Sequence, residues 1–175
     1  MKRIYALLLA LLLVPASGFT QDNYIVGLSG FDLDLATSTP QSALGVPYWG
    51  SQGVFKYAQA SETIAAGSWV FLSETNVLTL ADTTESGTEQ LPVCVAAANM
   101  NTTSGKYGWV WCGAGVFEAI VANAVAADSA LTTTATGGTA GTGGDAITGC
   151  INIDAGVTAT RVTVRCATLA LTNAP

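Results

Sequence analysis

The sequence predicts an all-β protein, a small antiparallel β-barrel or sandwich that follows an extended N-terminal arm. Three observations support this class. Short apolar runs recur between turn residues from Val54 onward, threonine and valine are frequent in those runs, and helical periodicity is hard to find after the N-terminal segment. Side chains that branch at Cβ pack well on a pleated surface, so this composition favours strands.

The first element is a signal-like segment, residues 1–18. Two basic residues precede an apolar run from Ile4 to Val14, which is shorter than the roughly 20 residues needed to span a bilayer. Pro15 ends the run, and the small residues 16–18 are typical of a signal-peptidase site. We therefore expect either cleavage after Gly18 or retention of the segment as a docking element.

Residues 19–53 are the expected extended arm. Pro40 and Pro47, with several glycines and serines, favour an irregular chain. Inside the arm, the alternation from Phe31 to Leu35 predicts a short, half-buried strand. Asp32 and Asp34 would then point outward as solvated carboxylates, because no EF-hand spacing follows them.

Residues 54–175 are the expected β domain. Gly113-Ala114-Gly115 separates two apolar runs and predicts a hairpin loop. The glycine- and threonine-rich tract from Thr132 to Gly149 predicts a flexible surface loop, and Asp128-Ser129 predicts a bend. The expected strands are Val54–Ala60, Trp69–Leu72, Val77–Leu80, Leu91–Ala97, Tyr107–Cys112, Val116–Val121, Ala130–Thr134, Ile147–Ile153 and Arg161–Leu171.

The composition argues against catalysis and against a nucleic-acid partner. The chain has no histidine, which removes the commonest general base near neutral pH and the commonest metal ligand. Its net charge is −6, whereas binding to phosphates needs clustered Lys and Arg. Spacing alone selects no pair of carboxylates. We expect no enzyme activity, no catalytic residue, no metal site, no cofactor and no small-molecule substrate.

Four cysteines lie among strand-forming residues, at Cys94, Cys112, Cys150 and Cys166. None belongs to a C-x-x-C pair, so neither a zinc site nor a redox motif is indicated. In an exported chain they would form two disulfides, with three connectivities open. In a cytoplasmic chain they would be small buried thiols. The sequence leaves both alternatives open.

Apolar and aromatic residues in two regions are the candidates for a partner interface. Trp109 and Trp111 alternate with Val110 and Cys112, so both faces of their strand are apolar. Such a strand either lies in the centre of a sheet or presents one face to a partner. The remaining candidates lie in the arm. The full set is Phe31, Leu33, Leu35, Tyr48, Trp49, Trp109 and Trp111.

The stretch YGWVWCGAGVFEAIVANAVAADSALTTTATGG, residues 107–138, resembles small virion proteins of tailed bacteriophages, especially marine and cyanobacterial ones, of the head-decoration or cement type. In that family a YGWV strand precedes a glycine-containing turn, a second strand and a phrase such as ANSVAADTALYTTATAG. The similarity extends over approximately residues 32–171. The matching residues are Tyr57, Ala60, Ile64, Ala65, Tyr107, Gly108, Trp109, Val110, Gly113, Ala126, Ala127, Asp128, Ala130 and Leu131.

The resemblance implies a capsid decoration protein in the virion. Such a protein would bind the outer surface of the assembled major capsid protein as a homo-oligomer, such as a trimer, and stabilise the shell. The signal-like segment and the cysteines support an alternative, an exported bacterial β-protein of the cell surface or of an extracellular assembly, with disulfides. A third class, a secreted carbohydrate-acting enzyme, would depend on an acid such as Glu118.

Overall fold

A computed structural model of the protein describes residues 32–50, 52–83, 92–122, 125–154 and 160–171. All the regular elements within these ranges are β-strands, which confirms the all-β class. No helix in this part of the chain is long and apolar enough to cross a membrane. The signal-like segment, residues 1–18, and the start of the arm, including Phe31, lie outside the described residues.

The first six strands form one sheet. Its order is β1-β2-β4-β3-β5-β6, and an additional pairing between β2 and β6 closes strands β2 to β6 into a ring, here called the first barrel. β1 stands outside the ring and pairs with β2. The strands are β1 Pro47–Gly50, β2 Gly53–Ala60, β3 Trp69–Leu72, β4 Val77–Leu80, β5 Val93–Ala96 and β6 Tyr107–Trp111.

The last five strands form a closed barrel with the order β10-β11-β7-β9-β8, here called the second barrel. Most of its pairings are antiparallel, and β7 with β9 is parallel. The pairing of β10 with β8 completes the closure. The strands are β7 Gly115–Val121, β8 Ala130–Thr133, β9 Ala140–Gly141, β10 Ala146–Asn152 and β11 Thr160–Leu171.

Alternation along the strands places two apolar faces in two clusters. One face of the first-barrel strands forms a cluster of its own, which includes Ile64, Val70, Leu78, Met100 and Val110. The other face carries aromatic side chains, and these share one continuous cluster with the inward residues of the second barrel. Members of this shared core include Phe55, Tyr57, Trp69, Trp109, Trp111, Ala119, Leu131, Ile147 and Val164. The two barrels are therefore packed as one body.

The glycines at 113 and 115 do not form the expected hairpin loop. β6 pairs with β2 and β5, whereas β7 pairs with β11 and β9, so the chain crosses here from the first barrel to the second. A Cβ on Gly113 would lie 2.6 Å from the Cβ of Val54, and one on Gly115 would collide with the carbonyl oxygen of Gln52. Glycine is needed because this crossing lies directly against the turn between β1 and β2.

The predicted flexible loop from Thr132 to Gly149 is instead part of the second barrel. It contains the end of β8, all of β9 and the start of β10. The backbone of Gly138 also joins the two barrels, because its carbonyl accepts from Trp69 N at 3.0 Å and its N–H donates to Ala81 O at 3.0 Å. Low complexity was misleading here, since small residues fit the crowded contact between barrels as well as they fit a mobile loop.

The predicted strand from Phe31 to Leu35 is wrong in its described part. Asp32 to Leu35 form a turn, in which Leu35 N donates to Asp32 O at 3.3 Å and Asp34 N donates to Asp32 Oδ1 at 2.9 Å. The side chain of Asp32 therefore accepts a backbone hydrogen bond that stabilises a bend and replaces the pairing of an extended strand. The predicted bend at Asp128-Ser129 is present, with Asp128 at a φ of 59°.

Candidate interaction surface

Residues 32–50, here called the strap, lie on the outside of the first barrel. Thr37 forms an isolated antiparallel bridge with Tyr107. The hydroxyl of Tyr57 lies 3.2 Å from Thr37 Oγ1 and accepts from Gln41 N at 3.1 Å. Leu33 is buried in the shared core. The described part of the predicted arm is thus folded onto its own barrel, and it does not extend away from the protein.

From Leu35 onward the outer surface of the strap is uncharged. From Leu35 to Phe55 the sequence contains no Asp, Glu, Lys or Arg. Three large apolar side chains in this stretch are exposed, Leu35 by 53%, Val46 by 38% and Trp49 by 69%. On a chain with 12 acidic residues, a charge-free surface of this kind is suited to contact with another protein.

Trp49 occupies a defined position on the edge strand β1. It lies opposite Val54 on β2. Val54 O in turn accepts from Cys112 N at 2.7 Å, and Cys112 is disulfide-bonded to Cys94 on β5. The backbone of Trp49 is therefore anchored to β2, which is joined through Cys112 to the disulfide with β5.

The structure divides the other candidate interface residues between the surface and the core. Trp109 and Trp111 are 1% and 0% exposed, so they are not available to a partner of the folded chain. Both faces of β6 are apolar because it is a central strand, which lies between β2 and β5. Trp111 Nε1 donates to Gln52 O at 2.8 Å, and half-buried Tyr48 packs edge-on against Trp109 with ring centroids 6.2 Å apart. Leu33 is buried as well.

The structure pairs all four cysteines, Cys94 with Cys112 and Cys150 with Cys166. Each bond connects neighbouring antiparallel strands, β5 to the end of β6 in the first barrel and β10 to β11 in the second. This resolves the connectivity that the sequence left open. The separations of 18 and 16 residues within the pairs do not predict this connectivity, because strand register decides which cysteine lies opposite which.

A shallow, mostly apolar pocket of about 410 Å³ lies on the second barrel, and sequence reasoning missed it. The register of β10 against β11 shifts between Thr148 and Cys150, and Gly149 there has a φ of 75°. Val116 at the pocket is 43% exposed. The lining residues are Gly115, Val116, Gly149, Ile151, Arg165, Cys166 and Ala167.

A polar cleft of about 470 Å³ lies where the two barrels meet, with Asp34, Glu118 and Arg161 among its lining residues. Arg161 packs over Gly67, where an added Cβ would lie 3.1 Å from the arginine side chain. All three charged residues are exposed. Catalytic acids and bases are ordinarily tuned by burial or by a close charged partner, so this geometry resembles a solvated surface. The described residues also contain no group of three His, Cys, Asp or Glu that could hold a metal ion.

Comparison with known proteins finds no matching family model and no matching curated protein. The most distinctive surface of the chain is the uncharged part of the strap, from residue 35 onward, with Leu35, Val46 and Trp49 exposed.

Proposed function

We propose that this protein is a bacteriophage capsid decoration, or cement, protein that binds the outer surface of the major capsid shell and stabilises it. The observation that carries the proposal is the uncharged stretch of the strap from residue 35 onward, with its exposed apolar side chains, on a frame of two closed barrels. The resemblance of residues 107–138 to virion proteins of tailed phages supports the same function. In this proposal the protein contributes binding free energy and no chemistry.

The two barrels form a rigid frame that is suited to stabilising a shell under mechanical stress. Closed barrels leave few free strand edges, which limits unwanted pairing between copies. The strap is already folded onto the first barrel, so the conformational entropy of ordering it is lost on folding and does not weaken binding to a shell. Leu35 and Val46 would be the apolar contacts to the shell, because both are exposed and residues 35–55 carry no charge.

The two disulfides are compatible with a virion surface. Proteins made in the cytoplasm keep their thiols reduced, whereas the surface of a released virion is an oxidising environment. Each cysteine lies on or next to a strand that pairs with its partner's strand, so the bonds can form after folding and without rearrangement. We therefore expect assembly in the reduced state and oxidation after release.

Quantitative mass spectrometry of purified particles tests the proposal. The chain should be present in many copies, at a fixed ratio to the major capsid protein, and trace amounts would contradict it. A second test measures rebinding of the purified chain to stripped shells. The double variant Leu35→Ser/Val46→Ser should bind less tightly, whereas Ala130→Ser, which changes an exposed apolar residue outside both the strap and the pocket, should bind as the unmodified protein does.

A second function is favoured by a different observation. Two disulfides together with the signal-like residues 1–18 are typical of an exported bacterial protein of the cell surface or of an extracellular assembly. The N-terminal residue of the protein purified from its natural source distinguishes the two. Met1 or the residue after it supports the virion protein, and Phe19 supports export.

A further inference from the structure

We propose that Trp49 of one copy of this chain inserts into the apolar pocket on the second barrel of another copy. This inference rests on the proposed function. It adds that the partner of Trp49 is an identical chain. Leu35 and Val46 remain the residues assigned to the shell. The contact between copies and the contact with the shell can therefore fail independently.

Trp49 has the properties of an inserting side chain. The protein has four tryptophans, and the other three are 1% exposed or less, so only Trp49 leaves its indole in water. Its backbone is fixed by pairing with Val54 on β2, which lowers the entropy lost on binding. Tryptophan is also among the residues that most often dominate the energy of an interface.

The pocket has the matching properties. Its volume of about 410 Å³ lies within the range of sites that hold small aromatic ligands. Gly115, Gly149 and Ala167 contribute little or no side chain, while Val116 and Ile151 supply apolar contact. Arg165 is exposed beside them, and a guanidinium over an indole ring adds a favourable cation–π interaction.

The presence of an exposed indole and of an apolar pocket with a cation on one chain favours an identical chain as the occupant. Each copy has a net charge of −6, so most orientations of two copies bring like charges together. Contact between the strap and the pocket avoids this, because residues 35–55 are uncharged and the one charged residue that lines the pocket is the cation Arg165. Since Trp49 and the pocket are different patches, two copies either exchange the contact reciprocally about a twofold axis or pass it head to tail around a ring.

The test measures the oligomeric state of the purified full chain by light scattering and sedimentation over a range of concentrations. The unmodified chain should associate. Trp49→Ala and Ala167→Glu should each weaken association by about 30-fold or more, the level expected for an interface hot spot. Both replaced residues are exposed, so we expect both variants to fold, which circular dichroism checks. Leu35→Ala, which removes an exposed apolar side chain from another part of the strap, should leave association unchanged.

Mixing the two defective variants provides the sharper test. The Trp49→Ala chain keeps its pocket and the Ala167→Glu chain keeps its indole, so the mixture should form a heterodimer through one intact contact. Acrylamide quenching of tryptophan fluorescence should fall as the unmodified chain is concentrated, because Trp49 becomes shielded. A chain that is monomeric throughout, an oligomer that tolerates both variants, or a mixture that stays monomeric would each overturn the proposal. None of these results bears on the copy number in particles.

Discussion

The two barrels bury their strands differently. In the first barrel β3 and β5 are buried at every residue, and β6 at all but its first. In the second barrel β7 and β8 alternate between exposed and buried positions over much of their length. The strap and the second barrel cover part of the outer face of the first barrel, where β2 and β4 stay partly exposed, whereas β7 and β8 of the second barrel expose alternate residues to solvent. The same type of closed sheet thus produces continuous apolar runs in one case and alternation in the other.

This difference explains where large side chains are used. Phe55, Tyr57 and three of the tryptophans lie on the outer face of the first barrel, where they fill the space between layers. The inward residues of the second barrel are mostly smaller, such as Ala119, Ala140 and Val164. The shared core implies that the first barrel cannot be destabilised without loosening the second.

The largest expected effect is that of Trp111→Ala in the shared core. The change removes the stacking contact with Phe117, whose ring centroid lies 5.5 Å away, and the hydrogen bond to Gln52 O. We expect a loss of about 3–5 kcal/mol in the free energy of unfolding, measured by chemical denaturation. Trp49→Ala, studied as a dilute monomer, is the control and should stay within about 0.5 kcal/mol. Two separate unfolding transitions in Trp111→Ala would contradict the single core.

Removing either disulfide should produce the next largest effect. The closed loops have similar lengths, with sequence separations of 18 and 16, so chain entropy predicts a similar loss of about 3 kcal/mol in each barrel. The variants are Cys94→Ala/Cys112→Ala and Cys150→Ala/Cys166→Ala, with denaturation of each compared under oxidising conditions. Unequal losses would show that one barrel depends on its bond for packing as well as for entropy.

Gly115→Ala tests the crossing between the barrels. Both Gly115 and Gly143 have a positive φ, at 148° and 134°, but an added Cβ at Gly143 meets no atom within 4 Å. Both variants share the backbone penalty, and only Gly115→Ala adds a collision with Gln52 O. We expect Gly115→Ala to destabilise by about 1–3 kcal/mol more than Gly143→Ala in thermal or chemical unfolding. Equal values would show that the crossing can relax.

Glu118→Gln should have the smallest effect. Glu118 is exposed in the cleft between the barrels, opposite Thr163 on the neighbouring strand. Its neutralisation should change the free energy of unfolding by no more than about 0.5 kcal/mol. In a screen against common polysaccharides, neither the unmodified protein nor the variant should release sugar. Hydrolysis that disappears in the variant would instead support the carbohydrate-acting enzyme.

The strands could be predicted from the sequence, but their pairing could not. The runs Trp69–Leu72 and Val77–Leu80 agree with β3 and β4 at both ends. Each run reflects a local preference of side chains for a pleated surface, which is encoded in neighbouring residues. The choice of partner is not local, and so the adjacent strands β6 and β7 looked like a hairpin although they belong to different barrels.

The candidate surface was predicted only in part, for the same reason. Trp49 and Leu35 are exposed as an interface requires, whereas Trp109 and Trp111 are buried in the core. All four side chains are apolar, and a sequence shows that they avoid water without showing what covers them. The absence of charge from residue 35 to residue 55 did not enter the prediction of this surface, although it is a signal that could have distinguished the stretch, because exposed segments of an acidic chain ordinarily carry charge.

The sequence by itself determined that this chain is an all-β protein, where most of its strands lie, and that histidine chemistry is absent. Only the tertiary structure decided that there are two closed barrels, which cysteines pair, and which tryptophan reaches solvent. The physical reason is the distance along the chain between the residues that interact. Strand formation depends on the alternation of side chains within a few residues, whereas closure, cross-strand pairing and burial depend on residues that are distant in the chain and meet only when the sheets pack.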